Sequence, residues 1–390
     1  MTKISQGAEQ ERCLVQESST KNLFNVHIKI PNPFSRRDES DDDGGGKGRF
    51  RIVSSRRSRI VFPVLSVVGA LLLGAFFIAL SGHDPVAAYA SLFMEAFGSV
   101  NGITDTLVKA APLLLAGVGL VVAYKSSIWT IGAEGQILLG ALAAVWLGLN
   151  LKGVPGFLLI PLIMVASFLA GAGLAMVAGV LKAKIGVNEI ITTLMLNNIA
   201  SYFILYLVSG PMKTPEVGYN QTRIITSEAF LPILVQDTRL HAGVLLAILA
   251  AIFVYILVEK TSLGYKIKAV GHSPKAAKYA GISMSRNILI VMFVSGGLAG
   301  LAGMGEVLGV HHLLMLDISP GYGYTAILVA LLARLNPIAT IASAFLFAGL
   351  LNGSVAMQRG AGVPSSLVLI IQALVVIFVL ASEYATREKR

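Results

Sequence analysis

The chain has 390 residues, of which 55% are hydrophobic and only 13% charged, and its mean hydropathy is +0.74. A soluble domain this apolar would expose large greasy patches and aggregate, so the composition excludes a soluble all-helical protein. The formal net charge of +10 suggests nucleic acid, but its distribution along the chain makes it a topology signal and excludes nucleic acid as a partner.

Residues 1–58 are polar. They hold the acidic run Asp41-Asp42-Asp43, then Gly44-Gly45-Gly46, then a basic cluster of Arg49, Arg51, Arg56, Arg57 and Arg59. This composition reads as a disordered cytoplasmic tail. The single cysteine, Cys13, lies in it, so the chain has no intramolecular disulfide. The basic cluster ahead of Ile60–Gly82 resembles the start of a signal peptide. The long preceding tail and the length of the apolar run favour an uncleaved signal anchor.

Residues 59–386 read as one transmembrane domain. A spanning helix needs about 20 apolar residues, and charge-free runs of that order recur, among them Gly153–Leu181, Ile190–Met212 and Leu240–Val258. The predicted helices are 60–81, 106–124, 134–150, 156–181, 189–209, 241–258, 287–309, 322–333, 338–357 and 364–382. The fold class is therefore all-α, a polytopic membrane protein of about ten spans. Residues 82–105 are too polar to span and are expected along the outer surface, with part of the segment buried. The 40 glycines suit close helix packing in lipid.

Lysine and arginine set the orientation. The basic tail places the N-terminus inside, and ten spans return the C-terminus inside, where Arg387, Lys389 and Arg390 lie. Lys125, Lys182 and Lys184 mark inner connections. So does the loop 259–286, with Lys260, Lys266, Lys268, Lys275, Lys278 and Arg286 against Glu259 alone. The long outer loop 210–240 is balanced in charge.

Gln136-Ile-Leu-Leu-Gly-Ala-Leu-Ala143 is similar to Ala326-Ile-Leu-Val-Ala-Leu-Leu-Ala333, at an offset of 190 residues. Each follows a glycine-rich break, and the two segments run in opposite directions in this topology. That pattern marks an inverted repeat with broken helices beside a central pathway.

The chain has no Walker A pattern, so any ATPase is another chain; Gly44–Gly48 lacks the spacing and the Ser/Thr that cradle phosphate and magnesium. A metal at His311-His312 would need further ligands, and Asp317 is the only nearby candidate, so no metal site is expected and the pair reads as part of a solvated outer loop. No nucleophile, base and orienting acid come together, so no catalytic residue and no cofactor are expected.

Three segments carry polar groups of interest. Glu134 and Gln136 open an apolar helix, either facing the pathway or capping a helix end. Asn188, Glu189, Thr192 or Thr193, and Asn197 place polar groups along one face of a spanning helix, either lining a pathway or bonding between helices. Thr325, at the start of the second repeat's helix, joins the pathway candidates. In the inner loop, Ser273 caps a short helix with Pro274 in its first turn. Lys275, Ala276, Ala277 and Lys278 follow, and Gly281 ends it. Small Ala276 and Ala277 permit close docking in a partner's groove.

Lys275-Ala276-Ala277 followed by Gly281 resembles the coupling-helix region of ABC importer permeases, with lysine where many relatives have glutamate or arginine. Ile131-Gly-Ala-Glu-Gly-Gln136, Asn188-Glu-Ile-Ile-Thr-Thr-Leu-Met-Leu-Asn197 and Gly210-Pro-Met-Lys-Thr-Pro215 are similar to the branch that imports branched-chain amino acids, ribose and nucleosides. They look most like its nucleoside or simple sugar permeases. The resemblance covers residues 60–385.

It implies a bacterial inner-membrane permease working with an ABC ATPase, an external substrate-binding protein and a second, related permease chain. It also implies that the 259–286 loop couples ATP binding to a switch in access. Nucleosides are the expected substrate, with a simple sugar such as ribose or galactose as the alternative. A secondary transporter is the rival mechanism, but such proteins usually keep several charged groups deep in the membrane. Here the candidates are Glu134, Glu306 and Arg334.

Overall fold

The structure is a computed structural model that describes residues 58–215 and 218–387. The tail expected over 1–58 lies outside the described residues, apart from Ser58. Thirteen α-helices follow one another among the described residues: α1 (Ser58–Leu80), α2 (Pro85–Phe97), α3 (Val100–Lys125), α4 (Ala133–Asn150), α5 (Gly156–Ile185), α6 (Glu189–Ser209), α7 (Gly243–Lys260), α8 (Ser262–His272), α9 (Pro274–Tyr279), α10 (Met284–Glu306), α11 (Tyr322–Leu332), α12 (Ala339–Ala361) and α13 (Ser365–Arg387). The described residues form no β-strand beyond two isolated bridges in the outer loops. Among the described residues, seven helices are long and apolar enough to cross a bilayer.

Local chemistry sets several boundaries. Asp84 caps α2 ahead of Pro85, Ser99 caps α3, Asn188 caps α6, and Thr261, Ser273 and Ser283 cap α8, α9 and α10. The Ser99 cap starts α3 six residues before the expected 106. A helix satisfies its own backbone, so it can extend beyond the apolar run that marks it in the sequence. The 82–105 segment thus holds α2, which buries Ala88, Leu92 and Ala96, and the first turn of α3. Helix α8 was not anticipated at all.

The two halves pack in the same pattern. Helix α10 lies against α5 and α4, and α3 lies against α12 and α11. Likewise α4 contacts α5 and α6, as α11 contacts α12 and α13. Helices α3 and α10 also pack on each other, at the centre of the main apolar core. Close approaches fall at glycine: a Cβ on Gly303 of α10 would lie 1.9 Å from the carbonyl oxygen of Ile137 on α4, and one on Gly300 2.2 Å from that of Ser167 on α5. Small residues let backbones meet this closely where the lipid supplies no hydrophobic drive for association. A second cluster joins α1, α2, α12 and α13 through Ile78, Leu92, Met357 and Ile371.

Candidate functional site

Helix α4 does not follow directly from α3. Helix α3 ends at Lys125, and residues 128–132 run on without helical structure before α4 begins at Ala133. Such backbone must find hydrogen-bond partners away from water. Side chains of α6 provide them. Trp129 N–H donates to Glu189 Oε1 (3.3 Å), and Ile131 N–H donates to Thr193 Oγ1 (3.2 Å). Asn197 accepts from Gly135 N–H and donates through Nδ2 to the Ile131 carbonyl, both at 2.9 Å. Glu189, Thr193 and Asn197 recur at intervals of four, which places them on one helical face about 12 Å long. Glu189 also pairs with Lys182. Tyr124 stacks on Trp129 and donates its hydroxyl to the Thr130 carbonyl (2.9 Å), fixing the start of the segment.

The second half repeats this arrangement. Helix α10 continues through one π-helical turn, Val307–His311, and a largely irregular segment with one 3-10 turn, Leu316–Ile318, then returns to α11 at Tyr322. The loop between α6 and α7 holds the returning backbone: Ile225 N–H donates to the His312 carbonyl (2.9 Å), and Leu231 N–H donates to that of Leu308 (3.0 Å).

The starts of α4 and α11 meet. Glu134 Oε2 accepts from Gly323 N–H at 2.7 Å, so a carboxylate in the first turn of one broken helix caps the other. A Cβ on Gly323 would lie 2.3 Å from Glu134 N, so nothing larger than glycine fits. Ala133 and Gly323 are the 190-residue equivalents, so the two copies touch at equivalent positions, as about a two-fold axis.

Of the residues expected at a pathway, the structure brings together Glu134, Gln136, Glu189 and Asn197. Gln136 is buried beside Gly132, and its Oε1 has no hydrogen-bond partner. Thr325 is buried in the first turn of α11. Asn188 stands apart, exposed, with its Oδ1 accepting from Ile190 N–H.

In the lysine-rich loop 259–286, Ser273 Oγ accepts from Ala276 N–H (3.3 Å), and Pro274 occupies the first turn of α9. Gly281 follows α9 at φ +77°, a backbone that glycine adopts without strain. Lys275, Ala276, Lys278 and Tyr279 are exposed, whereas Ala277 is buried within the chain. Only the first of the two alanines is therefore available for docking. Helix α8 seats this unit on the inner end of α3: Ser127 Oγ donates to the Gly271 carbonyl (3.0 Å), and Glu259 pairs with Lys125 (2.7 Å) and Lys268 (2.9 Å). The contacts meet at residues 125–127, where the extended segment leading to α4 begins.

Charged groups cluster on the other side. Lys109 of α3 donates to Asn352 Oδ1 of α12 (2.8 Å), and buried Glu306 lies 3.5 Å from His311 Nε2. Lys109 was overlooked, although a lysine inside a predicted span is itself a signal. The histidine pair is not simply solvated. His312 stacks on Phe230 at a centroid separation of 3.8 Å, and His241 packs under Gly309. Burial and the neighbouring His312 push His241 down to about 4, and burial also lowers His312.

Residues 102–380 match the family described as branched-chain amino acid transport system, permease component. The glucose ABC transporter permease protein TsgB13 of Haloferax volcanii is 38% identical over 335 residues, covering 83% of this chain and 88% of the relative. The guanosine ABC transporter permease protein NupP of Bacillus subtilis is 33% identical over 335 residues, covering 85% and 96%. The nucleoside ABC transporter permease protein NupB of Lactococcus lactis is 32% identical over 336 residues, covering 84% and 92%. No solved structure matches the chain.

Proposed function

The chain belongs to the family of permease components of branched-chain amino acid transport systems and is a multi-pass ABC transporter permease; from that premise we propose that it carries nucleosides inward. The observation that carries the substrate is the near end-to-end similarity to NupP and NupB, one named for guanosine and the other for nucleosides. A simple sugar is the second reading, favoured by the 38% identity to a permease named for glucose. Uptake of labelled guanosine and of labelled glucose, measured in the same cells with and without the importer, separates the two. Glucose uptake without guanosine uptake overturns the first.

The partners in this reading are an ABC ATPase, an external binding protein and a second permease chain, in a bacterial inner membrane with both termini inside. The lysines of the 259–286 loop support that orientation. Helix α9 is the coupling helix, presenting Lys275, Ala276, Lys278 and Tyr279 to the ATPase. Its movement reaches the pathway through α8 and the Gly271–Ser127 contact, which adjoins the extended segment ahead of α4. Glu134, Glu189 and Asn197 act in this scheme as positioning residues that hold the two broken helices together. The energy for the switch comes from ATP binding at the partner, through its differential affinity for the two access states.

A further inference from the structure

Helix α6 has one buried face, formed by Glu189, Thr193, Asn197, Ala200, Ile204 and Val208, and is otherwise open. The open side is not uniformly apolar. Asn198, Tyr202 and Tyr206 follow at intervals of four, and all three are exposed. Helix α6 is 21 residues long, about 31 Å, and Asn198 is its tenth residue, so it lies near the bilayer midplane. Its Nδ2 donates back to the Leu194 carbonyl (3.1 Å), and among the described residues no donor reaches its Oδ1.

The neighbouring exposed faces differ. Helix α5 shows Leu162, Val165 and Leu169 to the outside, and α7 shows Leu249, Ile252 and Phe253. Those faces are apolar throughout, whereas on α6 the exposed Ile191 and Met195 share the open side with the polar stripe. An amide with an unpaired acceptor in hydrocarbon is costly, so the Asn198 side of α6 does not face lipid. Tyr206 lies near the outer end and suits an interfacial belt. Tyr202, 71% exposed and about 10 Å deeper than Ser209, does not.

Tyr324 of α11, also exposed, places its hydroxyl 3.5 Å from Asn197 Nδ2. That contact places Tyr324 beside the buried side of α6, away from the stripe. The stripe carries no charge, and its members are large. A close helix–helix seam in lipid favours small residues, so the stripe is poorly suited to packing against another permease helix. Flat rings and neutral hydrogen-bonding groups suit a neutral, flat, hydroxyl-bearing molecule, by stacking and by amide contact.

We propose that the Asn198–Tyr202–Tyr206 stripe is the face of the translocation pathway that this chain contributes, and that a nucleoside passes along it by stacking on the tyrosines and bonding to Asn198. The substrate in this statement rests on the nucleoside reading above; the assignment of the face does not.

The test uses the assembled importer, with ATPase, binding protein and second permease present. In a Cys13→Ser background, Asn198→Cys and Tyr202→Cys are compared with Leu249→Cys as a lipid-facing control. A water-soluble thiol reagent modifies the first two at least about tenfold faster than the control, and saturating guanosine slows both. Rates no faster than the control overturn the face.

Tyr202→Ala lowers the maximum rate of guanosine uptake about tenfold, and Tyr202→Phe keeps most of it, because the ring is retained. Equal loss in the two variants, or none in either, overturns stacking. Guanosine uptake by the unmodified importer is measured alongside. Its absence, with the labelling contrast kept, overturns the nucleoside and upholds the face. Guanosine uptake without the contrast overturns the face alone.

Discussion

Glu134 shows how one side chain can serve two helices. Its carboxylate lies in the first turn of α4 and accepts from Gly323 in the first turn of α11. Glu134→Ala leaves a buried N–H without a partner, a loss of about 1–3 kcal/mol. We expect slower uptake at equal membrane levels, largely restored in Glu134→Gln, which keeps an acceptor. Equal uptake by the alanine variant would show that the contact is dispensable. His241 supplies a pH prediction. Its folded value of about 4 lies below the usual 6.5, so the packed form holds it neutral while an opened form takes up a proton. Its contribution is complete above pH 6.5 and is lost as pH falls from there toward 4. His312, lowered in the same sense, adds to this, and the Glu306–His311 pair lies close by. Protection factors in residues 222–241 and 307–314, corrected for the pH dependence of intrinsic amide exchange, should therefore fall between pH 7.5 and 5, and His241→Gln should flatten the change.

At the scale of elements, α9 and α10 make opposite demands on substitution. Ala276 is exposed on α9, so Ala276→Glu should leave the fold intact and lower ATP-driven uptake by changing the docking surface. Normal uptake would remove α9 from the coupling role. Ala277 is buried, and Ala277→Glu places a charge inside the chain, so that variant should lose thermal stability as well as uptake. On α10, Gly300→Val forces the helix away from Ser167, at a cost of about 1–3 kcal/mol. A melting temperature in detergent lowered by several degrees would register it. An unchanged value would mean that α5 can yield.

At the scale of the whole molecule, the hydropathy runs and the lysine asymmetry were enough to read an all-helical membrane protein, and the capped α9 was visible residue by residue from Ser273 to Gly281. The start of α4 was legible too, because Gly132 and Gly135 interrupt the pattern. What holds that start in place was not legible. The i, i+4, i+8 series of Glu189, Thr193 and Asn197 reads the same whether it faces a channel or a neighbouring backbone. Only the position of the 128–132 segment decides between them, and it is set by tertiary packing. Helix α8 was missed because its lysines and glycines carry no apolar run. The meeting of the two copies at Ala133 and Gly323 has an electrostatic consequence. Any side chain repeated there would face its own duplicate across the axis, and two carboxylates a few ångströms apart cannot both stay ionised. The 190-residue equivalent of Glu134 is Tyr324, so only one of the two copies brings a carboxylate to this meeting point.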